Sequence, residues 1–175
     1  MSRDSKFLSL VLRHKPEEIG LRLDQHGWVR VDELLMKLKG ANRMLDREAL
    51  FQLVESNDKK RFTLSEDRLW IRAAQGHSVD VDLGLSAQRP PDELFHGTAR
   101  TNLDAIFASG LIPGRRKQVH LSLDRDTALR VGQRHGKPVV LRVDARRMFD
   151  EGFEFFRADN GVWLTNKVPS EYLRF

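Results

Sequence analysis

Phe7, Leu8, Val11 and Leu12 recur at helical spacing until Pro16 interrupts the pattern, which predicts a helix over residues 5–14 ending in Arg13 and His14. Leu21-Arg22-Leu23 and Trp28-Val29-Arg30-Val31 alternate around Asp24-Gln25-His26-Gly27 and predict two short strands joined by a turn. Asp32 is then the expected cap of a helix that stops at Gly40. A third helix fits residues 46–55, with Ala49, Leu50, Leu53 and Val54 as its buried stripe. Arg61-Phe62-Thr63-Leu64 and Arg68-Leu69-Trp70-Ile71 flank Ser65-Glu66-Asp67 as a hairpin. Helices followed by a two-stranded hairpin is the element order of a winged helix.

Between Ala73 and Pro91 the apolar periodicity fades, Val79, Val81 and Leu83 alternate with aspartates, and Pro90-Pro91 closes the stretch. A boundary there gives two parts, 1–88 and 89–175. The second part predicts strands at 93–95, 119–122, 139–143, 153–156 and 162–165, with helices at 101–109 and 126–133. Short strands interleaved with helices make the expected class α+β with a mainly antiparallel sheet.

Composition narrows the chemistry. The 175 residues carry 30 Lys and Arg against 25 Asp and Glu, a net charge of +5, with 40% hydrophobic and 31% charged residues. That balance belongs to a globular chain and excludes wholesale disorder. Cysteine is absent, which removes disulfides, thiolate nucleophiles, iron–sulfur clusters and Cys-based zinc sites. The apolar run at residues 7–12 is far too short for a membrane span, so a soluble, cytoplasmic protein is expected; a monomer is expected as well. The modest positive charge suits a phosphorylated or polyanionic partner without requiring one.

No dinucleotide-binding G-x-G-x-x-G, no phosphate-binding G-x-x-x-x-G-K-[ST], no H-E-x-x-H and no G-x-S-x-G occurs. What remains is histidine and arginine at punctuated positions. Phe95-His96-Gly97-Thr98 reads as a strand running into a loop, where Gly97 would let a ligand approach the backbone and His96 and Thr98 would bond ribose or amide groups. The plainer reading is a turn in which His96 satisfies a carbonyl. In Val119-His120-Leu121-Ser122, alternation places His120 and Ser122 on one face, lining a pocket or facing solvent. Leu12-Arg13-His14-Lys15-Pro16 puts cations at a helix C-terminus, where they complement the dipole or bind an anion. Lys59-Lys60-Arg61 and Arg115-Arg116-Lys117 are solvated charge runs or, if arginines converge, a phosphate clamp. Asn160-Gly161-Val162-Trp163-Leu164-Thr165 is a tight turn into an apolar strand, with Trp163 in the core and Val162 on the opposite face.

In this order, the LRHKP string, Gly27-Trp28-Val29, Lys60-Arg61-Phe62, Gln75-Gly76-His77-Ser78, Phe95-His96-Gly97-Thr98, Arg116 ahead of Val119-His120-Leu121-Ser122, Val131-Gly132-Gln133-Arg134 and NGVWLT closely resemble the NAD-dependent RNA 2′-phosphotransferases, the tRNA splicing phosphotransferases. The resemblance spans nearly the whole chain. It implies an N-terminal winged-helix lobe that binds RNA phosphate (1–88) and a C-terminal lobe of the ADP-ribosyltransferase fold that binds NAD (89–175), with the active site between them. It also implies a reaction in which an internal RNA 2′-phosphate attacks the nicotinamide ribose of NAD, then leaves as ADP-ribose 1″,2″-cyclic phosphate. The family's catalytic positions fall on Arg13, His14, Arg61 and Arg116.

For NAD, the resemblance points to His96, Gly97 and Thr98 with Asn102 at the adenosine and diphosphate side, to His120, Ser122 and Arg134 completing the site, and to Val162 at the nicotinamide end. ADP-ribosyltransferases often carry a glutamate where this chain has Val162, and its absence argues against protein modification. No metal is implied. Two alternatives stand beside this reading. One is an ADP-ribosyltransferase acting on protein or on nucleic-acid terminal phosphates. The other is a ligand-sensing DNA-binding regulator, which the third helix disfavours: it offers Asp46, Glu48 and Glu55, with Asp58 just beyond, against Arg47 alone.

Overall fold

The computed structural model describes residues 2–57, 59–79 and 81–175, so Asp58 and Asp80 lie outside the described residues. The chain divides into two compact units, Met1–Gly84 and Leu85–Phe175. Both combine helices with antiparallel strands, an α+β chain as the hydrophobic pattern predicts. Among the described residues no helix is long and apolar enough to cross a membrane.

In the first unit, helix α1 (Arg3–Arg13) is capped by Ser2, whose side chain accepts from the Ser5 amide at 3.1 Å. Leu8, Val11 and Leu12 are fully buried on one face, each contributing about 1.5–3 kcal/mol by leaving water. Strand β1 (Val29–Arg30) leads directly into α2 (Val31–Gly40), and α3 (Arg47–Ser56) starts from Asp46, which accepts from the Ala49 amide at 2.8 Å. Strands β2 (Phe62–Leu64) and β3 (Trp70–Ala73) form the expected hairpin, and β1 pairs antiparallel with the other edge of β3. The helices and this sheet close over Leu8, Leu12, Leu34, Leu50, Phe62 and Ile71.

Two expectations fail here for local reasons. Residues 21–24 form no strand, because Asp24 folds the chain into a loop: its carboxylate accepts from the His26 and Trp28 amides at 2.9 Å each, and its backbone pairs with Trp28 and Gly27. Leu21 still enters the core. Asp32 does not cap α2; the cap position is Arg30, because the Val31 amide is taken by the Leu69 carbonyl at 2.8 Å as the chain leaves the sheet. Asp32 instead pairs with Arg47 of α3.

The second unit is built on strands β4 (Leu94–Ala99), β5 (Val119–Leu121), β6 (Pro138–Val143), β7 (Phe155–Arg157), β8 (Trp163–Thr165) and β9 (Leu173–Arg174). They form two three-stranded antiparallel sheets, β4-β6-β9 and β5-β8-β7. The sheets join where Phe95 and Ser122 exchange backbone hydrogen bonds of 2.9 and 2.7 Å. Helices α4 (Leu103–Ser109), α5 (Arg125–Gln133) and α6 (Ala145–Asp150) complete the unit, the last unforeseen by periodicity. Leu94, Leu121, Leu141, Phe155 and Trp163 lie in its core.

The segment Phe95-His96-Gly97-Thr98 is strand rather than loop, pairing through Ala99 with β6. The reason lies in α5. A Cβ on Gly97 would stand 1.6 Å from the Ala128 carbonyl oxygen, and one on Gly132 would stand 2.9 Å from that of Thr98. Gly97 therefore admits a helix backbone, not a ligand, on its side-chain face. Gly97→Ala is expected to destabilise the protein by about 3 kcal/mol or more, since a backbone carbonyl cannot move aside as a side chain does, and Gly132→Ala by about 1 kcal/mol. Urea denaturation of both variants checks the size and the order.

Candidate functional site

In the first unit, α1 ends at Arg13, and His14 takes the C-cap position with its amide on the Leu10 carbonyl at 3.0 Å. The Arg13 carbonyl, which the helix leaves unused, accepts from the Ser78 amide at 2.9 Å and the Val79 amide at 3.4 Å. The His14 side chain joins the same segment, with Nδ1 2.8 Å from Ser78 Oγ.

Arg61 is fixed at both backbone groups. Its amide donates to Asn57 Oδ1 at 3.2 Å and its carbonyl accepts from the Ala74 amide at 2.8 Å. Asn57 also donates from Nδ2 to Ser5 Oγ at 3.3 Å, tying the end of α3 to α1. The segment 74–79 therefore touches Arg61 at its start and Arg13 and His14 at its end. Three of the residues singled out in the sequence meet at one short stretch of chain.

In the second unit, β4 and β5 part company just past the Phe95–Ser122 bridge. The backbone pairing is that single bridge, and beside it the His96 side chain takes over, with Nδ1 3.1 Å from the His120 carbonyl oxygen. A carbonyl only accepts, so Nδ1 carries the proton and Nε2 keeps its lone pair. Burial pushes the His96 pKa below the usual imidazole range, and the nearby charge of His135 adds to this against the opposing effect of the carbonyl bond. His96 is neutral at neutral pH.

His120 has the complementary polarity. Arg116 Nη1 lies 2.6 Å from His120 Nδ1, and because a guanidinium only donates, that nitrogen accepts and the ring proton sits on Nε2. Arg116 is exposed as a residue, yet loss of water around its guanidinium, followed by the like charge of Arg134, lowers its pKa. It stays cationic all the same. Two guanidiniums near enough to repel each other gain from an anion between them.

The remaining expected positions gather less tightly. Thr98 is buried, and its hydroxyl accepts from Asn102 Nδ2 at 3.1 Å, so these two engage each other. Asn102 stands at the start of α4 without capping it. Ser122 shares a face with His120 and is half-buried. Arg134 is the C-cap residue of α5. Val162 follows Gly161, whose φ of 88° makes the turn, and its amide donates to Asn160 Oδ1 at 3.2 Å. Trp163 is core, as the pattern predicts. A separate hollow lined by Asp92, Glu93, Arg142, Asp144, Arg146 and Arg174 contains none of the expected site residues.

Sequence reasoning missed the part played by residues 75–78. After β3 the chain stays buried through Ala74, Gln75, Gly76 and His77, although no apolar pattern continues. Polar residues directly following a strand were the available signal.

Comparison with known proteins finds relatives along nearly the whole chain. The family described as RNA 2′-phosphotransferase, Tpt1 / KptA family, matches residues 2–167. A probable RNA 2′-phosphotransferase of Agrobacterium fabrum is 62% identical over 169 residues, covering 97% of this chain and 91% of the relative. Relatives of the same name from Pseudomonas syringae pv. tomato and Acaryochloris marina are 54% and 52% identical, covering 97% and 96% of this chain and 91% and 93% of their own lengths. With matches of this extent, the chain belongs to the RNA 2′-phosphotransferase family, Tpt1 / KptA.

Proposed function

We propose that the protein removes an internal 2′-phosphate from RNA by transferring it to NAD, releasing nicotinamide and ADP-ribose 1″,2″-cyclic phosphate. In this reading the first unit is a winged helix that holds the RNA phosphate, and the second is an ADP-ribosyltransferase-like unit that holds NAD. The observation that carries it is the Arg116–His120 hydrogen bond, which couples the arginine expected to bind phosphate to a histidine of the expected NAD site. Family membership supplies the RNA 2′-phosphate.

The chemistry asks little of a general base. A phosphate oxygen is already anionic at neutral pH, so it attacks C1″ of the nicotinamide ribose once it is aligned, and the C1″–N bond breaks with its electron pair leaving on neutral nicotinamide. His96 offers an acceptor at Nε2 and His120 a donor at Nε2, a pair suited to ribose hydroxyls. In the second step the ribose 2″-hydroxyl attacks phosphorus, the bond to the RNA 2′-oxygen breaks, and that oxygen takes up a proton. Charge grows on the phosphoryl oxygens, and Arg13, Arg61 and Arg116 are the stabilisers. His14 supplies the proton to the departing oxygen, the 2″-hydroxyl proton restoring the balance. Arginines provide the positive charge that magnesium provides in other phosphoryl transfers, so the reading needs no metal.

The direct test is incubation with NAD and an oligoribonucleotide bearing one internal 2′-phosphate, followed by mass spectrometry. Loss of the phosphate together with the cyclic phosphate product is expected. A stable ADP-ribosylated RNA without cyclic phosphate would favour the plain ADP-ribosyltransferase instead. Arg116→Ala is expected to lower turnover by about 100- to 1,000-fold, or about 2.7–4 kcal/mol, the cost of a lost oxyanion donor; unchanged turnover overturns its role. Activity is expected to persist in excess chelator, and its loss there would count against arginine-only charge stabilisation.

A further inference from the structure

The Gln75–Ser78 segment has a place in the fold that the reaction as described does not use. It is clipped at both ends. At one end the Ser78 and Val79 amides bind the Arg13 carbonyl. At the other, the Ala74 amide donates to the Arg61 carbonyl at 2.8 Å; further along the chain the Asp82 amide donates to the Gln25 carbonyl at 2.8 Å, His26 Nδ1 bonds the Asp82 carbonyl, and Arg72 Nη1 donates to the carbonyls of His26 and Leu83 at 3.2 and 3.0 Å. Arg72 is itself held over the Trp28 ring, 4.5 Å from its centroid. Gly27 turns beneath the segment, where a Cβ would meet His77 Nε2 at 3.1 Å and Val81 Cγ1 at 3.2 Å. The segment is thus held by backbone bonds and by packing, while the Ser78 side chain remains at the surface.

That side chain meets His14: its Oγ lies 2.8 Å from His14 Nδ1. We infer that Ser78 is a positioning residue for the reaction, its hydroxyl accepting a hydrogen bond from His14 Nδ1–H and so leaving Nε2 as the nitrogen that gives a proton to the departing RNA oxygen. The inference rests on the proposed role of His14. An imidazole that must hand over a proton needs one nitrogen reserved for the protein and the other turned to the substrate, because the wrong tautomer presents a lone pair where a donor is required. A serine hydroxyl accepts from Nδ1–H in the charged ring and again in the neutral ring left behind, so the assignment survives the proton transfer. The backbone bonds of Ser78 fix where its Oγ stands without drawing on the hydroxyl, which separates the positioning role from any role in folding.

The experiment compares Ser78→Ala and Ser78→Thr with the wild-type chain. Ring nitrogen NMR of His14 is expected to show the Nδ1–H tautomer in the neutral wild-type ring and a shift toward Nε2–H, the form favoured in free imidazole side chains, in Ser78→Ala. The second step is expected to slow by about 10- to 100-fold in Ser78→Ala, the range commanded by groups that orient a reactive histidine. ADP-ribosylated RNA should then accumulate, while the KM for RNA and the thermal midpoint stay at their wild-type values. Ser78→Thr, which keeps the hydroxyl, should restore both tautomer and rate. An unchanged tautomer in Ser78→Ala, or a threonine variant no better than alanine, overturns the inference. His14→Ala with undiminished turnover would instead overturn the proposed role of His14, and with it the catalytic consequence assigned to Ser78; the tautomer comparison keeps the two failures apart.

Discussion

Helix α5 lies so close to β4 that the Ala128 carbonyl occupies the space a side chain at residue 97 would fill. Much of the second unit follows from that approach. With Gly97 turned toward α5, alternation along the strand turns His96 and Thr98 to the opposite face. His96 then meets the His120 carbonyl beside the single Phe95–Ser122 bridge. Phe95, on the helix side with Gly97, lies beneath the Arg125 guanidinium, 5.2 Å from its ring centroid. Two sequence strings that look like separate site motifs, one around Gly97 and one around Gly132, are thus two sides of one packing contact.

The same contact lets fixed hydrogen-bond polarity propagate. Arg116 cannot accept and a carbonyl cannot donate, so the bonds from Arg116 to His120 and from His96 to His120 leave no choice of tautomer at either ring. One histidine ends with a lone pair at Nε2 and the other with a proton there. Burial and the His135 charge hold His96 in its neutral form, so its acceptor character persists at physiological pH. Around these rings the repulsion between Arg116 and Arg134 favours any anion that separates them.

The strongly periodic elements were legible from the sequence. Leu8, Val11 and Leu12 marked α1, Leu50 marked α3, and the alternation on either side of Ser65-Glu66-Asp67 marked the β2–β3 hairpin. Short elements with few apolar residues were not: α6 has six residues and β9 has two, too few for a period to emerge. Residues 95–98 read as a loop because His, Gly and Thr weaken a strand signal, and the compensation comes from α5, about thirty residues away. Leu21–Leu23 alternates like a strand, yet the nearby Asp24 carboxylate draws the chain into a loop first. Arg13, His14, Arg61 and Arg116 were singled out through the order of short strings rather than through periodicity, since neither charge nor spacing marks them out from other basic residues. Ser78 entered only as the last residue of the Gln75-Gly76-His77-Ser78 string, because its contact with His14 lies 64 positions away.

Val162 bears on which acceptor the proposed chemistry suits. The turn made by Gly161 and the Asn160 side chain carries an apolar residue into the start of β8. A glutamate there would help a weak nucleophile by drawing off its proton, and a hydroxyl or amide acceptor needs that help. A phosphate acceptor does not, since its oxygens are already charged, and a second negative group near it would repel it by several kcal/mol at short range in a partly buried site, on the order of 4 kcal/mol at 4 Å. In the proposed chemistry an apolar side chain at 162 and the arginine at 116 would therefore serve one requirement, that an anion be received and more charge be stabilised as the phosphorus is attacked.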